Sequence, residues 1–311
     1  MKLLFYTAAS NSAAWLDALS RAMPAVSIGT WPEGPAGVTD GADYALVWKP
    51  PPELLAKLKS AKAIFNLGAG VDSLDWIPRS LQAVPLIRLE DAGMAEQMAE
   101  YVVHAVLRRY REFDVYARSQ RDALWQPRER IDKSGFRIGI LGMGVLGAAV
   151  AGALATFGFP IDGWSRSRKQ ISDVRSFAGP AELGEFLGRC RVLVCMLPLT
   201  AETRGMLNRA TLSQLSQGAY VVNVSRGALL IDEDLLALIE SGALDGATLD
   251  VFQEEPLSPT HAFWHHPRIT VTPHVSAVTR IEESVAQIAA KIRRLEAGLP
   301  VSGVVDRARF Y

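Results

Sequence analysis

The 311-residue chain is long enough for two ordinary domains, and its 49% hydrophobic content can build a core in each. Lysine plus arginine and aspartate plus glutamate both total 33, so no net field favours nucleic acid or an anionic membrane, and neither is expected as a partner. The two cysteines, Cys190 and Cys195, lack a CxxC pair and a nearby histidine, which argues against a metal site or disulfide scaffold and favours a reducing, cytoplasmic setting.

Short apolar runs alternate with helical patterns along the chain, which is typical of α/β proteins with parallel sheets. The opening run has period two and predicts a strand rather than a signal peptide. In chain order, the predicted strands are Leu3–Tyr6, Tyr44–Trp48, Ala63–Leu67, Ile138–Leu141, Ile161–Trp164, Val192–Leu197, Tyr220–Val224, Ala247–Leu249 and Ile269–Val271. Long helices are predicted over Ala95–Arg111 and Ile281–Ala297, with a charged connector over Arg118–Lys133. The strands therefore form two groups, and the second group lies in the middle of the sequence.

A glycine-rich turn follows the predicted strand Ile138–Leu141 and precedes an alanine-rich helix, Ala148–Phe157. Its residues are Gly142, Met143, Gly144, Val145, Leu146 and Gly147. In such a GxGxxG turn the first glycine permits the tight turn, the second admits phosphate to the backbone N–H groups, and the third lets the helix pack on the strand. Because strand, turn and helix occur in the required order, the sequence predicts a dinucleotide site in the central domain.

Polar and charged residues follow the other predicted strands of the central domain. The segments are Leu197-Pro198-Leu199-Thr200, Asn223-Val224-Ser225-Arg226-Gly227, Leu249-Asp250-Val251-Phe252 with Glu254-Glu255-Pro256, and Thr272-Pro273-His274. In open α/β sheets, ligands bind in the crevice outside the carboxyl ends of the strands. We therefore expect Arg226, Glu255 and His274 near one crevice, where each suits a role in the reduction of a carbonyl group.

Together with Gly68-Ala69-Gly70-Val71-Asp72 and Glu202-Thr203, these motifs resemble the D-2-hydroxyacid dehydrogenases, and most closely their glyoxylate/hydroxypyruvate reductases. The resemblance covers nearly the whole chain. It implies an α/β protein of two doubly wound parallel-sheet domains, with a Rossmann nucleotide-binding domain at 99–275 inserted in a flavodoxin-like substrate-binding domain at 1–98 and 276–311. It also implies a homodimer joined through the nucleotide domains, with the connector around Leu124–Pro127 contacting the partner.

The catalytic residues implied by the resemblance are Arg226, Glu255 and His274. His274 is the expected proton donor, since histidine changes charge near neutral pH. Glu255 is its expected carboxylate partner, with Glu254 as the competing choice. Arg226 offers a planar fork of donors suited to the substrate carboxylate and the keto oxygen.

Other substrate contacts are expected in the first domain. The backbone N–H groups of Ala69 and Gly70 can bind the carboxylate as a small anion nest. Trp48 is expected either to cap the substrate or to pack at the domain edge. Lys49 can add positive charge there.

The cofactor expected by this alignment is NADP(H), with NAD(H) as the second choice. In NAD-binding domains of this kind, the strand after the glycine turn ends in an acid that binds the ribose hydroxyls. The alignment places Ser165 there, followed by Arg166 and Ser167, which can donate to a 2′-phosphate. Asp162 could instead supply the acid, although it is predicted to lie inside the strand. The full set of expected cofactor residues is Gly142, Met143, Gly144, Val145, Leu146, Gly147, Ser165, Arg166, Ser167, Leu197, Pro198, Thr203, Val224, Ser225, Arg226, Asp250 and His274.

The predicted reaction is NADPH-dependent reduction of a small 2-keto acid, glyoxylate to glycolate or hydroxypyruvate to D-glycerate. The alternatives are a reductase of bulkier acids such as phenylpyruvate and a non-catalytic scaffold that senses dinucleotides. His261, His265 and His266 lack zinc spacing and are expected to be solvated loop residues. His104 is expected to be a packing residue of its predicted helix, and Cys195 is expected to be a small buried apolar residue.

Overall fold

A computed structural model describes residues 1–32, 41–74 and 76–308. The strands are β1 (Lys2–Thr7), β2 (Ser27–Thr30), β3 (Tyr44–Trp48), β4 (Ala63–Asn66), β5 (Leu86–Arg88), β6 (Ile138–Leu141), β7 (Ile161–Ser165), β8 (Val174–Ala178), β9 (Val192–Cys195), β10 (Ala219–Asn223), β11 (Leu244–Leu249) and β12 (Ile269–Val271). The helices are α1 (Ser12–Ala22), α2 (Pro52–Ala56), α3 (Met94–Tyr110), α4 (Phe113–Arg121), α5 (Val145–Ala155), α6 (Leu183–Arg189), α7 (Arg209–Leu212), α8 (Asp232–Glu240) and α9 (Ile281–Glu296). In these described ranges, none of the helices has the length and apolar composition needed to cross a membrane.

The chain forms two compact units, Met1–Met94 with Thr279–Tyr311 and Ala95–Val278. The sequence predicts the two domain boundaries between residues 98 and 99 and between residues 275 and 276. The second unit instead starts with the first turn of α3. Its last residue, Val278, exchanges two hydrogen bonds with the side-chain amide of Gln97 through its backbone N–H and carbonyl groups, at 3.2 and 3.0 Å.

The first unit contains a five-stranded parallel sheet in the order β2-β1-β3-β4-β5. This is the 2-1-3-4-5 order of flavodoxin-like folds. Its central strands are apolar on both faces, as parallel strands covered on both sides require. Helices α1 and α9 pack against each other, so the C-terminal helix lies in the same unit as the N-terminal sheet.

The second unit contains a seven-stranded parallel sheet in the order β12-β11-β10-β9-β6-β7-β8. Counted from β6, this is the Rossmann order 3-2-1-4-5-6 with one further strand at the edge. Alternate residues of β9 enter different cores: Leu193 packs in one apolar cluster, while Val192 and Val194 pack in the other. The sheet is therefore buried on both faces, and the predicted fold class is confirmed.

Three strands were not predicted from the sequence: β2, β5 and β8. Each lies at an edge of its sheet and pairs with one other strand, and β5 forms in addition an isolated antiparallel bridge between Ile87 and Val304. Because all strands of a unit run in parallel, their carboxyl ends lie along one edge of each sheet. In the second unit the order reverses between β6 and β9, and this switch point is where such sheets bind ligands.

Candidate active site

The glycine turn after β6 has the geometry that a dinucleotide pyrophosphate requires. Gly142 has a φ of +105°, and a Cβ there would lie 2.6 Å from the carbonyl oxygen of Met196. A Cβ on Gly147 would overlap the carbonyl oxygen of Gly142, so only glycine lets α5 pack this closely on the turn. Gly144 differs, because a Cβ there would meet nothing within 4 Å. The space over Gly144, at the N-terminus of α5, therefore fits a phosphate that binds backbone N–H groups.

The side chains in the glycine turn take different positions. Met143 is buried, and its sulfur would lie 2.7 Å from a Cβ built on Gly163 of β7. Val145 is exposed at the first position of the helix, and Leu146 is half-buried. Only the backbone of Met143 can therefore face a ligand at the turn, while Val145 can offer side-chain contact.

The end of β7 carries hydroxyl and basic groups rather than a free carboxylate. Asp162 is completely buried inside the strand and pairs with Arg137 at 3.0 Å and with Arg189 at 2.6 Å. Ser165 ends the strand, and its hydroxyl donates to the carbonyl oxygen of Ser167 at 2.8 Å. Because the Asp162 carboxylate is buried and bound by two arginines, it is not available to bind a ribose hydroxyl.

Two arginines follow Ser165. Arg166 is exposed, whereas Arg168 pairs with Glu182 and donates to the carbonyl oxygen of Ser176. A hydrogen bond from Thr200 lowers the pKa of Glu202, and the charge of Arg166 adds to this effect. Arg166 therefore lies within electrostatic reach of the loop after β9, while Arg168 is used in the local structure.

The loops after β9 and β10 are held together by hydroxyl groups. The Thr203 hydroxyl donates to the carbonyl oxygen of Pro198 at 2.6 Å, which closes the turn after β9. The Ser225 hydroxyl donates to the carbonyl oxygen of Leu197, so the two loops are linked directly. Leu197 and Val224 are buried, whereas Pro198 is exposed. Side-chain hydroxyl groups therefore fix the two loops relative to each other.

Arg226 is half-buried in the loop after β10. The buried Asn223 fixes the backbone of this loop, since its amide donates to the Arg226 carbonyl oxygen at 3.1 Å and accepts the Ser225 N–H at 3.2 Å. The Arg226 Nη1 donates to the carbonyl oxygen of Ser225 at 2.7 Å. A Cβ on Gly227 would overlap the backbone of Phe252, so the Arg226 loop lies directly against the chain that leads to Glu255.

His274 and Glu255 form a direct pair, with Nδ1 of the imidazole 2.8 Å from Oε2 of the carboxylate. The other carboxylate oxygen accepts the Phe252 N–H at 3.0 Å, so the local chain orients the group. Both side chains are partly exposed, at 43% and 38%. Since Nδ1 faces the carboxylate, Nε2 is the imidazole nitrogen left to face a ligand.

Asp250 organises the loop that carries His274. Its completely buried carboxylate accepts three hydrogen bonds: from the Thr272 hydroxyl at 2.6 Å, the Val275 N–H at 2.9 Å and the Ser276 N–H at 2.8 Å. Its carbonyl oxygen accepts the His274 N–H at 2.8 Å. The sequence predicts Asp250 as a cofactor contact, whereas in the structure its carboxylate binds the loop that carries His274.

In the first unit, Trp48 covers the glycine turn after β4. A Cβ on Gly68 would lie 2.5 Å from the Trp48 ring, so glycine is required there for space. The Asn66 amide donates to the carbonyl oxygens of Gly68 at 2.9 Å and Gly70 at 2.8 Å. The Asn66 side chain therefore fixes the backbone of the turn that carries the half-exposed Ala69 and Gly70, whose N–H groups the sequence predicts as an anion nest.

The D-isomer specific 2-hydroxyacid dehydrogenase NAD-binding domain model matches residues 103–276. A solved D-isomer specific 2-hydroxyacid dehydrogenase from Xanthobacter autotrophicus Py2, in complex with NADPH and MES, is 39% identical, with a TM-score of 0.94 over 100% of this chain and 99% of that one. The chain belongs to the D-isomer specific 2-hydroxyacid dehydrogenase family.

Other structures of this dehydrogenase family are also similar. The NADPH-dependent glyoxylate/hydroxypyruvate reductase of Sinorhizobium meliloti, in complex with NADP and sulfate, is 35% identical, with a TM-score of 0.92 over 100% of this chain and 99% of that one. A probable 2-hydroxyacid dehydrogenase from Rhizobium etli CFN 42, in complex with NADP, HEPES and L(+)-tartaric acid, is 30% identical, with a TM-score of 0.93 and the same coverage.

Three of the remaining histidines of this dehydrogenase differ from the expectations, whereas His265 is exposed. His261 is not a solvated loop residue, since it is half-buried, contacts Asp232 at 3.5 Å and accepts the Phe263 N–H at 3.3 Å. His266 is also partly buried, and burial lowers its pKa. His104 is exposed on α3 rather than packed. Among the described residues there is no group of three or more His, Cys, Asp or Glu that could hold a metal ion.

Proposed function

We propose that this dehydrogenase reduces a small 2-keto acid with NADPH, converting glyoxylate to glycolate and hydroxypyruvate to D-glycerate. The observation that carries the proposal is the His274–Glu255 pair at the carboxyl edge of the nucleotide-binding sheet, with the Arg226 loop packed against the chain that leads to Glu255. The similarity to the Sinorhizobium meliloti reductase supports these two substrates.

The proposed chemistry adds a hydride to the keto carbon and a proton to the keto oxygen. NADPH supplies the hydride when bound. His274 donates the proton from Nε2, while Glu255 keeps a hydrogen bond to Nδ1 and so fixes which nitrogen reacts. After the transfer, His274 is neutral and Nε2 takes a proton from solvent before the next cycle. Arg226 binds the substrate carboxylate and polarises the keto oxygen.

The proposed preference for NADPH rests on the end of β7. An acid at this position would repel a 2′-phosphate, but Ser165 ends the strand and Asp162 is buried between two arginines. Exposed Arg166 supplies positive charge beside Ser165 and Ser167. The similar dehydrogenases crystallised with NADPH or NADP support the same choice.

The first unit is proposed to contribute to substrate binding through its own glycine turn. Ala69 and Gly70 would bind carboxylate oxygens through their N–H groups, and Trp48 would limit the size of the group attached to the keto carbon. The contact between Trp48 and Gly68 supports this role, since it places a large rigid ring over the turn. A small substrate is favoured for the same reason.

A homodimer is also proposed. The Trp125 side chain in the connector is 96% exposed, and Leu124 beside it is 50% exposed. Exposed aromatic residues of this size are typical of protein interfaces. Light scattering on the purified wild type and on a Trp125→Ser variant tests this proposal. The wild type should be dimeric, and the variant should dissociate to monomers at a higher protein concentration than the wild type.

The two free cysteines are buried, which agrees with the cytoplasmic location that we propose.

The deciding experiment is the loss of NADPH absorbance with glyoxylate, hydroxypyruvate, pyruvate and phenylpyruvate, repeated with NADH. Rapid turnover of the first two acids with NADPH is the expected result. Preference for phenylpyruvate would overturn the substrate assignment, and preference for NADH would overturn the cofactor assignment. No turnover with any acid, despite measurable NADPH binding, would favour a dinucleotide-sensing scaffold.

A further inference from the structure

Helix α3 contacts both ends of the segment that carries His274. Tyr101 contacts Thr272 at the start of the segment, with 2.5 Å between the two hydroxyl oxygens. Gln97 binds Val278 at its end through two hydrogen bonds of 3.0 and 3.2 Å. Gln97 and Tyr101 are four residues apart and therefore lie on one face of the helix. One helical face thus contacts a seven-residue segment, 272–278, at both of its ends.

The hydrogen bonds from Tyr101 run in one direction. The Thr272 hydroxyl has a single proton, which it donates to the Asp250 carboxylate at 2.6 Å. The Tyr101 hydroxyl must therefore donate to Thr272. The same Asp250 carboxylate accepts the N–H groups of Val275 and Ser276, and the Asp250 carbonyl oxygen accepts that of His274. An unbroken chain of hydrogen bonds therefore links Tyr101 to the backbone around His274.

The segment needs this support because of its backbone conformation. His274 has a φ of +54°, in the left-handed region that a residue with a side chain adopts only where its surroundings hold it there. Val275 and His274 are exposed, so their side chains add little packing to hold the segment. The hydrogen bonds to Asp250, and the contacts that fix both ends, are the forces that can keep His274 beside Glu255.

We propose that Tyr101 and Gln97 are positioning residues for the acid of this dehydrogenase, with Tyr101 acting through Thr272 and Asp250. The inference rests on the proposed function, because it assigns these residues to the service of His274. Burial of Tyr101 agrees with its role as donor, since burial raises the pKa of the phenol to about 12 and the hydroxyl keeps its proton at working pH.

The test compares two tyrosines of the same helix. Tyr101→Phe removes the donor to Thr272, and Tyr110→Phe removes a hydroxyl that donates to the Ile131 carbonyl oxygen at 3.0 Å. The first readout is hydrogen–deuterium exchange of the amides of residues 274–276, measured by mass spectrometry. Tyr101→Phe should speed this exchange about tenfold or more, and Tyr110→Phe should leave it unchanged. Equal exchange in the wild type and Tyr101→Phe would overturn the proposal.

The second readout is turnover of the best keto acid. We expect Tyr101→Phe to lower kcat about tenfold while KM and the Kd of NADPH change less than about twofold, because only the placement of the acid is altered. Tyr110→Phe should retain kcat. Thr272→Ser keeps the hydroxyl and should retain most activity, whereas Thr272→Val should resemble Tyr101→Phe. If Thr272→Val kept the wild-type kcat, the positioning role would be refuted.

The results separate this inference from the proposed function. If the wild type turned over none of the keto acids, the proposed reaction would be rejected. Hydrogen–deuterium exchange in the wild type and Tyr101→Phe would still decide whether Tyr101 holds segment 272–278. An active wild type, an inactive His274→Gln variant and an unaffected Tyr101→Phe variant would reject the positioning role alone. The Tyr101→Phe and Thr272→Val double variant should lose no more than either single variant, since both act through one chain.

Discussion

Glu255 binds His274 with one carboxylate oxygen and its own local backbone with the other: Oε2 lies 2.8 Å from Nδ1 of His274, and Oε1 accepts the Phe252 N–H at 3.0 Å. The carboxylate therefore has a fixed orientation that does not depend on the histidine. It can present a negative charge to whichever protonation state His274 adopts during turnover.

Replacement of Glu255 by glutamine tests the importance of this charge. The single amide oxygen of Gln can accept from Nδ1 or from the Phe252 N–H but not from both, so one of these two hydrogen bonds is lost together with the negative charge beside the imidazolium. NADPH binding should be retained, because the substitution leaves the glycine turn unchanged. We expect kcat/KM for glyoxylate to fall about 100-fold, which is within the usual range for the loss of an acid–base group. The His274→Gln substitution should lower kcat/KM at least as much. Steady-state kinetics and NADPH fluorescence titration measure the two quantities. A Glu255→Gln enzyme with wild-type kcat/KM would show that the charge is not used.

Replacement of Arg226 by lysine tests the planar fork. Lysine keeps the charge but cannot bind a carboxylate through two parallel N–H groups. We expect KM for the keto acid to rise about 100-fold with little change in the Kd of NADPH. The matched control is Arg209→Lys. Arg209 is an exposed residue of α7 that lies 3.5 Å from Asp234 of α8, and its substitution should leave KM at the wild-type value. A similar KM for the wild type and Arg226→Lys would remove Arg226 from substrate binding.

The choice of nicotinamide should change with a carboxylate at the end of β7. Ser165→Asp is expected to lower kcat/KM with NADPH about tenfold or more and to raise it with NADH, because an acid repels the 2′-phosphate and binds the ribose hydroxyls. Ser213→Asp adds the same charge at an exposed site away from this strand and should alter neither value. An unchanged ratio of NADPH to NADH efficiency in Ser165→Asp would show that this position does not select the cofactor.

Two glycines of α5 should respond in opposite ways to alanine. A Cβ on Gly147 would overlap the backbone of Gly142, so Gly147→Ala should destabilise the fold by about 1–3 kcal/mol and weaken NADPH binding. A Cβ on exposed Gly152 meets nothing within 4 Å, so Gly152→Ala should stabilise by about 0.5–1 kcal/mol through helix propensity. Urea denaturation measures both. Equal effects of the two substitutions would contradict the close approach of helix and turn.

The anion nest proposed in the first unit lies in a turn that Asn66 holds. Asn66→Asp is nearly isosteric but replaces the two donor hydrogen bonds with repulsion from the Gly68 and Gly70 carbonyls. We expect KM for the keto acid to rise about tenfold while kcat changes less. Asn208→Asp, which removes a 2.8 Å donor bond to the Gly205 carbonyl at the start of α7, is the control and should retain KM. A normal KM in Asn66→Asp would separate the turn from substrate binding.

Most of the strands that carry the site could be predicted from the sequence, because they are short apolar runs bounded by turns. Strands β2 and β8 were missed for a physical reason. Ser27–Thr30 has one buried residue, and Val174–Ala178 also has one, so neither shows the apolar run that marks a central parallel strand. Edge strands of this kind are specified by the neighbour with which they pair.

The site was predictable where motif and topology coincide. Gly142 has a positive φ and Gly147 packs closely on the turn, and the GxGxxG spacing already predicts both requirements. The partners of Asp250 were not predictable, because Val275 and Ser276 lie 25 and 26 residues away and reach the carboxylate only through the register of two strands. The same is true of Tyr101, whose partner Thr272 is 171 residues away.

The left-handed backbone at His274 has a further consequence. Glycine adopts a φ of +54° without strain, and the N–H at this position is held by the Asp250 carbonyl oxygen whatever the side chain is. A His274→Gly chain should therefore keep its backbone and leave a space the size of an imidazole beside Glu255. If His274 is the acid, as proposed, free imidazole in the buffer should occupy that space and restore part of the turnover, so the proton donor would be a component that can be added from solution.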